Sequence, residues 1–205
     1  MQRLVDRITS YCVNENLIKP EEIPWFRYGL ERKLSTIFVG IPFLIIAFTI
    51  SNSLCAISFF TTYFFIRKYI GGYHAKTIWG CLTFSLLLEL VFLGMLSHLL
   101  TIPVLLGVLG ISFFVIFMLA PYNHPNMHLS TEEIRGCRQR GLLRTCLVML
   151  VGIIACLVKI KEVANGCTIG IAMAATLLCL GYIYDWRKAH HEKQQDQGHG
   201  KSAHF

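Results

Sequence analysis

Residues 102–120 contain no charged side chain. A helix that crosses a bilayer needs about 20 predominantly apolar residues, and few soluble folds call for such a run. Five further apolar runs lie at about residues 34–50, 54–69, 81–100, 142–158 and 167–184. Ser51-Asn52-Ser53 reads as a turn between the first two, and Thr101-Ile102-Pro103 as a tight re-entry between the third and fourth. Lys159 to Gly166 is a short loop. The first two runs are short for a bilayer and could form one long helix. That helix would put Arg32-Lys33 and Arg67-Lys68 on opposite sides of the membrane, so a hairpin is expected. Apolar residues make up 54% of the 205-residue chain and charged ones 15%, below the roughly 25% of soluble domains. The expected fold is all-α: a polytopic integral membrane helical bundle of about six transmembrane helices, preceded by an N-terminal amphipathic helix.

Around residues 3–13, Leu4, Val5, Ile8, Tyr11 and Cys12 share one helical face. Such a helix lies either on a membrane surface or on the bundle itself. A second helix is expected from near Glu21 through Trp25 to Lys33. Residues 1–185 then form one membrane domain, with 1–33 as surface helices and 34–184 as the six spans. Residues 185–205 form a polar, His-rich tail expected to fray. The N-terminal segment carries Arg3, Asp6 and Arg7 and does not read as a cleaved signal peptide.

The net charge of +7 could suggest nucleic acid, but the basic residues cluster at the ends of apolar runs. With an inner N-terminus and six spans, only Lys159 and Lys161 fall outside. That asymmetry is the positive-inside pattern. It places both termini, residues 71–80 and the polar loop expected at 121–141 in the cytoplasm of a multi-pass cell-membrane protein.

One polar island interrupts the apolar sequence: Arg67-Lys68-Tyr69-Ile70-Gly71-Gly72-Tyr73-His74-Ala75-Lys76-Thr77-Ile78-Trp79-Gly80-Cys81. A thiol near an imidazole can act as a cysteine nucleophile, because the imidazole takes the proton and the thiolate attacks a carbonyl. On an unbroken helix, His74 and Cys81 would lie about 10 Å apart along the axis. A dyad therefore needs a break near His74, which Gly71-Gly72 supplies. Cys81 would then fall in the first turns of the next helix, where the helix end favours a thiolate. Against this stands the plain reading of a cysteine as a small apolar residue at a span edge.

Glu89 lies deep in the third run, about 12 Å beyond Cys81 on a helix, with Ser85 between them on a similar face. An ionisable group at that depth is a functional candidate, or a carboxyl hydrogen-bonded within the bundle. Arg67 and Lys68 can be topogenic charge. Arg135, Arg138, Arg140 and Arg144 form a denser basic set, suited to anionic headgroups or an acidic peptide segment. His124 and His128 have a spacing that can ligate metal, and a zinc site with His74 and Cys81 can be drawn. Pro125 opposes a regular helix there, and no H-E-x-x-H is present. No metal or cofactor is assigned. The eight cysteines contain no C-x-x-C, and no disulfide framework is read from them.

Arg67…His74…Cys81 with Gly71-Gly72 between them resembles the accessory gene regulator B (AgrB) family. So does Ala120-Pro121-Tyr122-Asn123-His124-Pro125-Asn126 followed by a basic stretch, and so does the Tyr28-Gly29-Leu30-Glu31 patch. The likeness runs from about residue 5 to 185. The chain departs from some members in having Asn123 to His128 where a lysine-rich run can occur. The resemblance implies a membrane cysteine endopeptidase of bacterial quorum sensing, with Cys81 as nucleophile and His74 as general base. It also implies a small precursor peptide with an amphipathic leader and an acidic tail, cut and closed into a thiolactone or lactone signal, and a homodimer. Arg67, Gly71, Gly72, Ser85, Glu89, Asn123, Arg135, Arg138 and Arg140 are the candidates for shaping the site or binding the peptide. Backbone N–H groups near Gly80 or Cys81 are candidate oxyanion donors, and Asn123, Asn126 or Glu132 a third catalytic member. The rival is a small exporter with Glu89 in its pathway and a structural Cys81.

Overall fold

The computed structural model of the chain describes residues 2–73, 77–96, 101–122 and 130–202. All regular structure among them is helical. Helix α1 spans Gln2–Asn14, and a 3-10 turn at Pro20–Glu22 leads into α2, Ile23–Ile50. Next come α3, Ser53–Ile70, and α4, Ile78–Glu89, which continues as a π-helical turn over Leu90–Leu96. Helices α5, Ile102–Leu119, α6, Thr131–Leu157, and α7, Lys161–Ser202, complete the fold.

Among the described residues, four helices are long and apolar enough to cross a membrane; they lie within 20–50, 102–119, 131–157 and 161–187. Among the described residues the other two expected spans are also helical but fall short of that measure. Thr61, Thr62, Tyr63, Arg67 and Lys68 dilute the apolarity of α3, and the described apolar stretch around α4 is Trp79–Gly94, residues 97–100 of that expected span lying outside the described residues. The chain is a membrane protein by these helices, and the count of six is not reached on length and composition alone.

Several boundaries differ from expectation for identifiable reasons. No break separates a surface helix at 21–33 from the first span: α2 runs through both, because no helix-breaking residue lies between Trp25 and Leu34 strong enough to stop it. The polar loop does not extend to residue 141. Ser130 and Glu133 form a capping box, with the Ser130 N–H donating to Glu133 Oε2 at 2.8 Å and the Glu133 N–H donating to Ser130 Oγ at 3.3 Å. This starts α6 at Thr131 and puts the basic set on its first four turns. The loop after α6 shrinks to residues 158–160. Helix α7 does not stop at Asp185 but runs to Ser202.

The expected hairpin is present. Asn52 caps α3, accepting the Leu54 N–H at 2.9 Å. Across the turn, Phe43 of α2 stacks on Phe59 and Tyr63 of α3, with centroids 5.3 and 5.1 Å apart. Helix α7 lies at the centre, packed by α3, α5 and α6, while α4 packs against α2. Helix α1 rests on α2 through Val5 and Thr9 and is tied to it by the Arg27–Asp6 ion pair at 2.7 Å. The inward face is part of the predicted one: Val5 is buried and Ile8 and Cys12 are half-buried, while Leu4 and Tyr11 stay exposed.

One end of the bundle gathers the last turns of α3 and α5 and the first turns of α4 and α6. Arg144 shows the closure: its Nη1 donates to the Phe65 carbonyl at 3.0 Å, and its guanidinium covers the rings of Phe65 and Tyr69 at 4.1 and 4.2 Å. Arg67, Gly71, Gly72, Cys81, Arg135 and Arg138 lie at this end.

Candidate active site

Helix α3 ends because Gly71 and Gly72 take φ values of +72° and +130°, a region that side chains other than glycine's rarely enter. Space demands glycine as well. A Cβ on Gly71 would stand 2.8 Å from the Tyr122 carbonyl oxygen, and one on Gly72 would stand 3.1 Å from that of Leu177. The Tyr122 N–H donates to the Ile70 carbonyl at 2.9 Å, and the Tyr73 N–H donates to the Leu177 carbonyl of α7 at 2.8 Å. Arg67 Nη2 reaches forward to the Tyr73 carbonyl at 2.8 Å. The Tyr73 ring sits between Phe84 of α4 and Tyr184 of α7, at 5.3 and 5.4 Å. The two sequence patterns singled out above, Arg67…Gly71-Gly72 and Ala120-Pro121-Tyr122, are thus pressed together against α7. The Ala120–Pro121 peptide bond is cis.

Tyr122 fastens this junction. It is buried, and its hydroxyl donates to Asp185 Oδ2 at 2.7 Å. Burial, reinforced by the Asp185 carboxylate, holds its phenol well above the usual range. In the sequence Tyr73 and Tyr122 stand only as members of the two motifs, and Asp185 only as the start of the polar tail, with no role attached to any of them. The tyrosines looked like ordinary span-edge aromatics, and Asp185 looked like the first residue of a tail.

Helix α4 begins at an N-cap, Thr77, whose Oγ1 accepts the Gly80 N–H at 3.1 Å while its carbonyl accepts the Cys81 N–H at 2.9 Å. Cys81 therefore lies in the first turn of α4, partly exposed. Both N–H groups named as oxyanion donors are engaged by Thr77, which leaves those of Ile78 and Trp79 as the first-turn donors without an intrahelical acceptor. Trp79 is largely exposed and meets Phe38 of α2 edge-on at 5.5 Å. Beside it, an apolar groove of about 810 Å³ runs between α1 and α2, lined by Arg3, Leu4, Leu34, Ile37 and Phe38 among others.

Ser85 and Glu89 follow Cys81 at one-turn intervals. Both are buried, Glu89 completely. Arg135, Arg138 and Arg140 are exposed on α6, and Arg138 Nη2 donates to the Phe117 carbonyl at 3.4 Å. Glu132 is exposed in the first turn of α6. His74, Asn123 and Asn126 lie outside the described residues, as do His124 and His128. Among the described residues no group of three or more His, Cys, Asp or Glu side chains is placed to hold a metal ion.

A family model described as accessory gene regulator B matches residues 5–179. The chain belongs to the accessory gene regulator B family. Searches of curated proteins and of solved structures found no match. The AgrB match takes in Arg67, Gly71, Gly72, His74, Cys81 and Ala120-Pro121, and it ends before Asp185. Membership connects the chain with the quorum-sensing peptide pathway, and AgrB proteins are known as peptide-processing.

Proposed function

We propose that this chain is a membrane cysteine endopeptidase that cuts the C-terminal part from a small precursor peptide and promotes its closure into a cyclic signal. The observation that carries the reading is the break at Gly71–Tyr73, which sets Cys81 in the first turn of a new helix seven residues after His74. His74 takes the Cys81 proton, and the thiolate adds to the scissile carbonyl. The positive end of α4 favours that charge. The N–H groups of Ile78 and Trp79, which have no intrahelical acceptor, are the candidate donors to the tetrahedral oxyanion. His74 then protonates the leaving amine as the C–N bond breaks, giving a Cys81 thioester. A thiol or hydroxyl of the precursor attacks this thioester. Its proton passes through His74 to the departing Cys81 thiolate, so the acyl bond is kept as a ring.

Arg67, Gly71 and Gly72 shape the turn that carries His74. Asn123 follows Tyr122 directly and is a candidate to contact the peptide. Arg135, Arg138 and Arg140 draw in acidic residues of the precursor. The basic end of the bundle faces the cytoplasm, with both termini there, in a multi-pass protein that works as a homodimer.

The test is mass spectrometry of a candidate precursor, chosen from the neighbouring reading frames, incubated with membranes holding wild type, Cys81→Ala or His74→Ala. Release of the C-terminal fragment by wild type alone supports the reading, and a Cys81-linked acyl-enzyme fixes the nucleophile. Equal cleavage by Cys81→Ala at equal expression overturns it in favour of the exporter, with Glu89 in the pathway.

A further inference from the structure

Residues one and two turns apart share a face of a helix. On α7 one such face carries Leu177, Gly181, Tyr184 and Asp185, and each of these meets Tyr73, Tyr122 or both. The Leu177 carbonyl accepts the Tyr73 N–H at 2.8 Å. The Tyr184 ring meets the Tyr73 ring edge-on at 5.4 Å, and the Asp185 carboxylate accepts the Tyr122 hydroxyl at 2.7 Å. Gly181 makes room for both tyrosines: a Cβ there would stand 3.1 Å from the Tyr73 nitrogen and 3.2 Å from the Tyr122 ring. Tyr73 directly precedes His74 in the chain. The Tyr73 ring also meets Phe84 at 5.3 Å, within one turn of Cys81 on α4. Tyr73 therefore ties the segment leading to His74 to the helix that carries Cys81, and α7 holds it there. Tyr122 braces the same turn, with its N–H on the Ile70 carbonyl at 2.9 Å and its own carbonyl against Gly71.

We infer that Tyr184 and Asp185 are positioning residues of the peptidase: they fix the Gly71–Tyr73 turn, and with it the point from which the chain continues to His74, against the helix that carries Cys81. This deepens the peptidase reading above and rests on it. Neither residue lies in the stretch that the family model matches, which ends at residue 179. Both are half-buried, and neither touches the reacting groups in this role. A general base works only within hydrogen-bond reach of the proton it takes, so a base that follows a turn depends on where that turn is held. Tyr184 acts through its ring, which backs Tyr73 against Phe84. Asp185 acts through an acceptor oxygen, which anchors the Tyr122 hydroxyl. Helix α7, packed by α3, α5 and α6, supplies the fixed frame for both.

The experiment measures how fast iodoacetamide alkylates Cys81 at neutral pH, by mass spectrometry of the Cys81 peptide from the full-length protein in detergent. It needs no precursor, and His74→Ala sets the rate without the imidazole. Tyr184→Ala and Asp185→Ala are each expected to slow alkylation roughly fivefold towards that rate, because only the thiolate reacts. Tyr184→Phe keeps the ring and Asp185→Asn keeps an acceptor oxygen, so both should stay within about twofold of wild type. Leu109→Ala, in the buried core of α5, lowers the thermal midpoint without touching this face and should also stay within about twofold. Tyr184→Leu and Tyr122→Phe, which remove the same two contacts, replace any alanine variant that does not fold. Wild-type rates in the Tyr184 and Asp185 variants, with His74→Ala slow, overturn the positioning role and leave the peptidase reading standing. An equal loss with Leu109→Ala overturns it as well, since general destabilisation then accounts for the effect. If His74→Ala alkylates as fast as wild type, it is the His74–Cys81 pair itself that fails, and the positioning role falls with it.

Discussion

Helices α5 and α7 are both apolar enough to cross a membrane, yet they occupy opposite environments. Helix α5 is the more hydrophobic of the two, yet most of it is exposed, whereas most of the apolar length of α7 is buried. In a bilayer lipid tails are as apolar as leucine, so hydrophobicity does not drive a helix inward; close packing of small residues does. Helix α7 carries Gly166, Gly170, Ala172, Ala174 and Ala175 through the centre of the bundle, where α3 lies against its backbone. Gly107 and Gly110 of α5 have open space instead. High hydropathy here marks the lipid-facing helix, and small residues mark the core.

The sharpest way to break this comparison is to enlarge a glycine in each helix. A Cβ on Gly166 would stand 2.6 Å from the Cys55 carbonyl oxygen and 2.7 Å from the Ser58 Cβ. Much of that obstacle is backbone, which cannot step aside. Gly166→Leu is expected to cost more than the roughly 1–3 kcal/mol of ordinary overpacking and to remove monodisperse protein from detergent extracts. Gly107→Leu should yield normal amounts with an unchanged elution profile. Equal yields from the two variants would show that α7 is not the packed centre.

Next in size is the junction that holds the candidate site. Gly71→Ala forces a side chain into a left-handed conformation against the Tyr122 carbonyl, a strain of about 1–3 kcal/mol. Because that turn leads directly to His74, precursor cleavage is expected to fall by more than tenfold while the protein remains extractable. Unchanged cleavage would separate the α3–α4 turn from the chemistry.

How much of this was legible beforehand depends on whether the signal was local. The apolar runs, the helix break at Gly71-Gly72 and the place of Cys81 in a first turn follow from hydropathy and glycine chemistry within a few residues. The capping box at Ser130 was equally local but was read as loop because the residues after it are charged. What could not be read was contact between distant segments. Nothing near Tyr122 announces Asp185, 63 positions away, and nothing near Arg67 announces that a carbonyl of α7 holds the next turn. The geometry of His74 lies outside the described residues, so the dyad itself rests on sequence and family.

Tyr122→Phe sharpens the same junction by removing the hydroxyl that donates to Asp185. A hydrogen bond to a charged group contributes about 1.5–3 kcal/mol, so a lower thermal midpoint is expected at neutral pH. The sign with pH follows from the raised phenol. In the unfolded chain the phenol ionises near pH 10, whereas in the fold it keeps its proton to higher pH. The unfolded state then binds fewer protons, so this contribution is complete below about pH 10 and declines above it. The difference between wild type and Tyr122→Phe should shrink at strongly alkaline pH. A difference that stays constant there would mean the Tyr122–Asp185 bond is not what the substitution removes.

The smallest expected effect, that of Ile111→Ala, returns to α5 and is read against a buried neighbour. Leu109 is 2% exposed and Ile111 is 69% exposed, two residues apart on the same helix. Leu109→Ala empties space against the packed core and should cost about 2–5 kcal/mol. Ile111→Ala exchanges a lipid-facing side chain for lipid, a change between two equally apolar environments, and should stay within about 0.5 kcal/mol. Unfolding midpoints in the same detergent decide it. Should Ile111→Ala prove as costly as Leu109→Ala, the exposed face of α5 is covered by protein rather than lipid in the working assembly, which would point to a second copy of the chain seated on it.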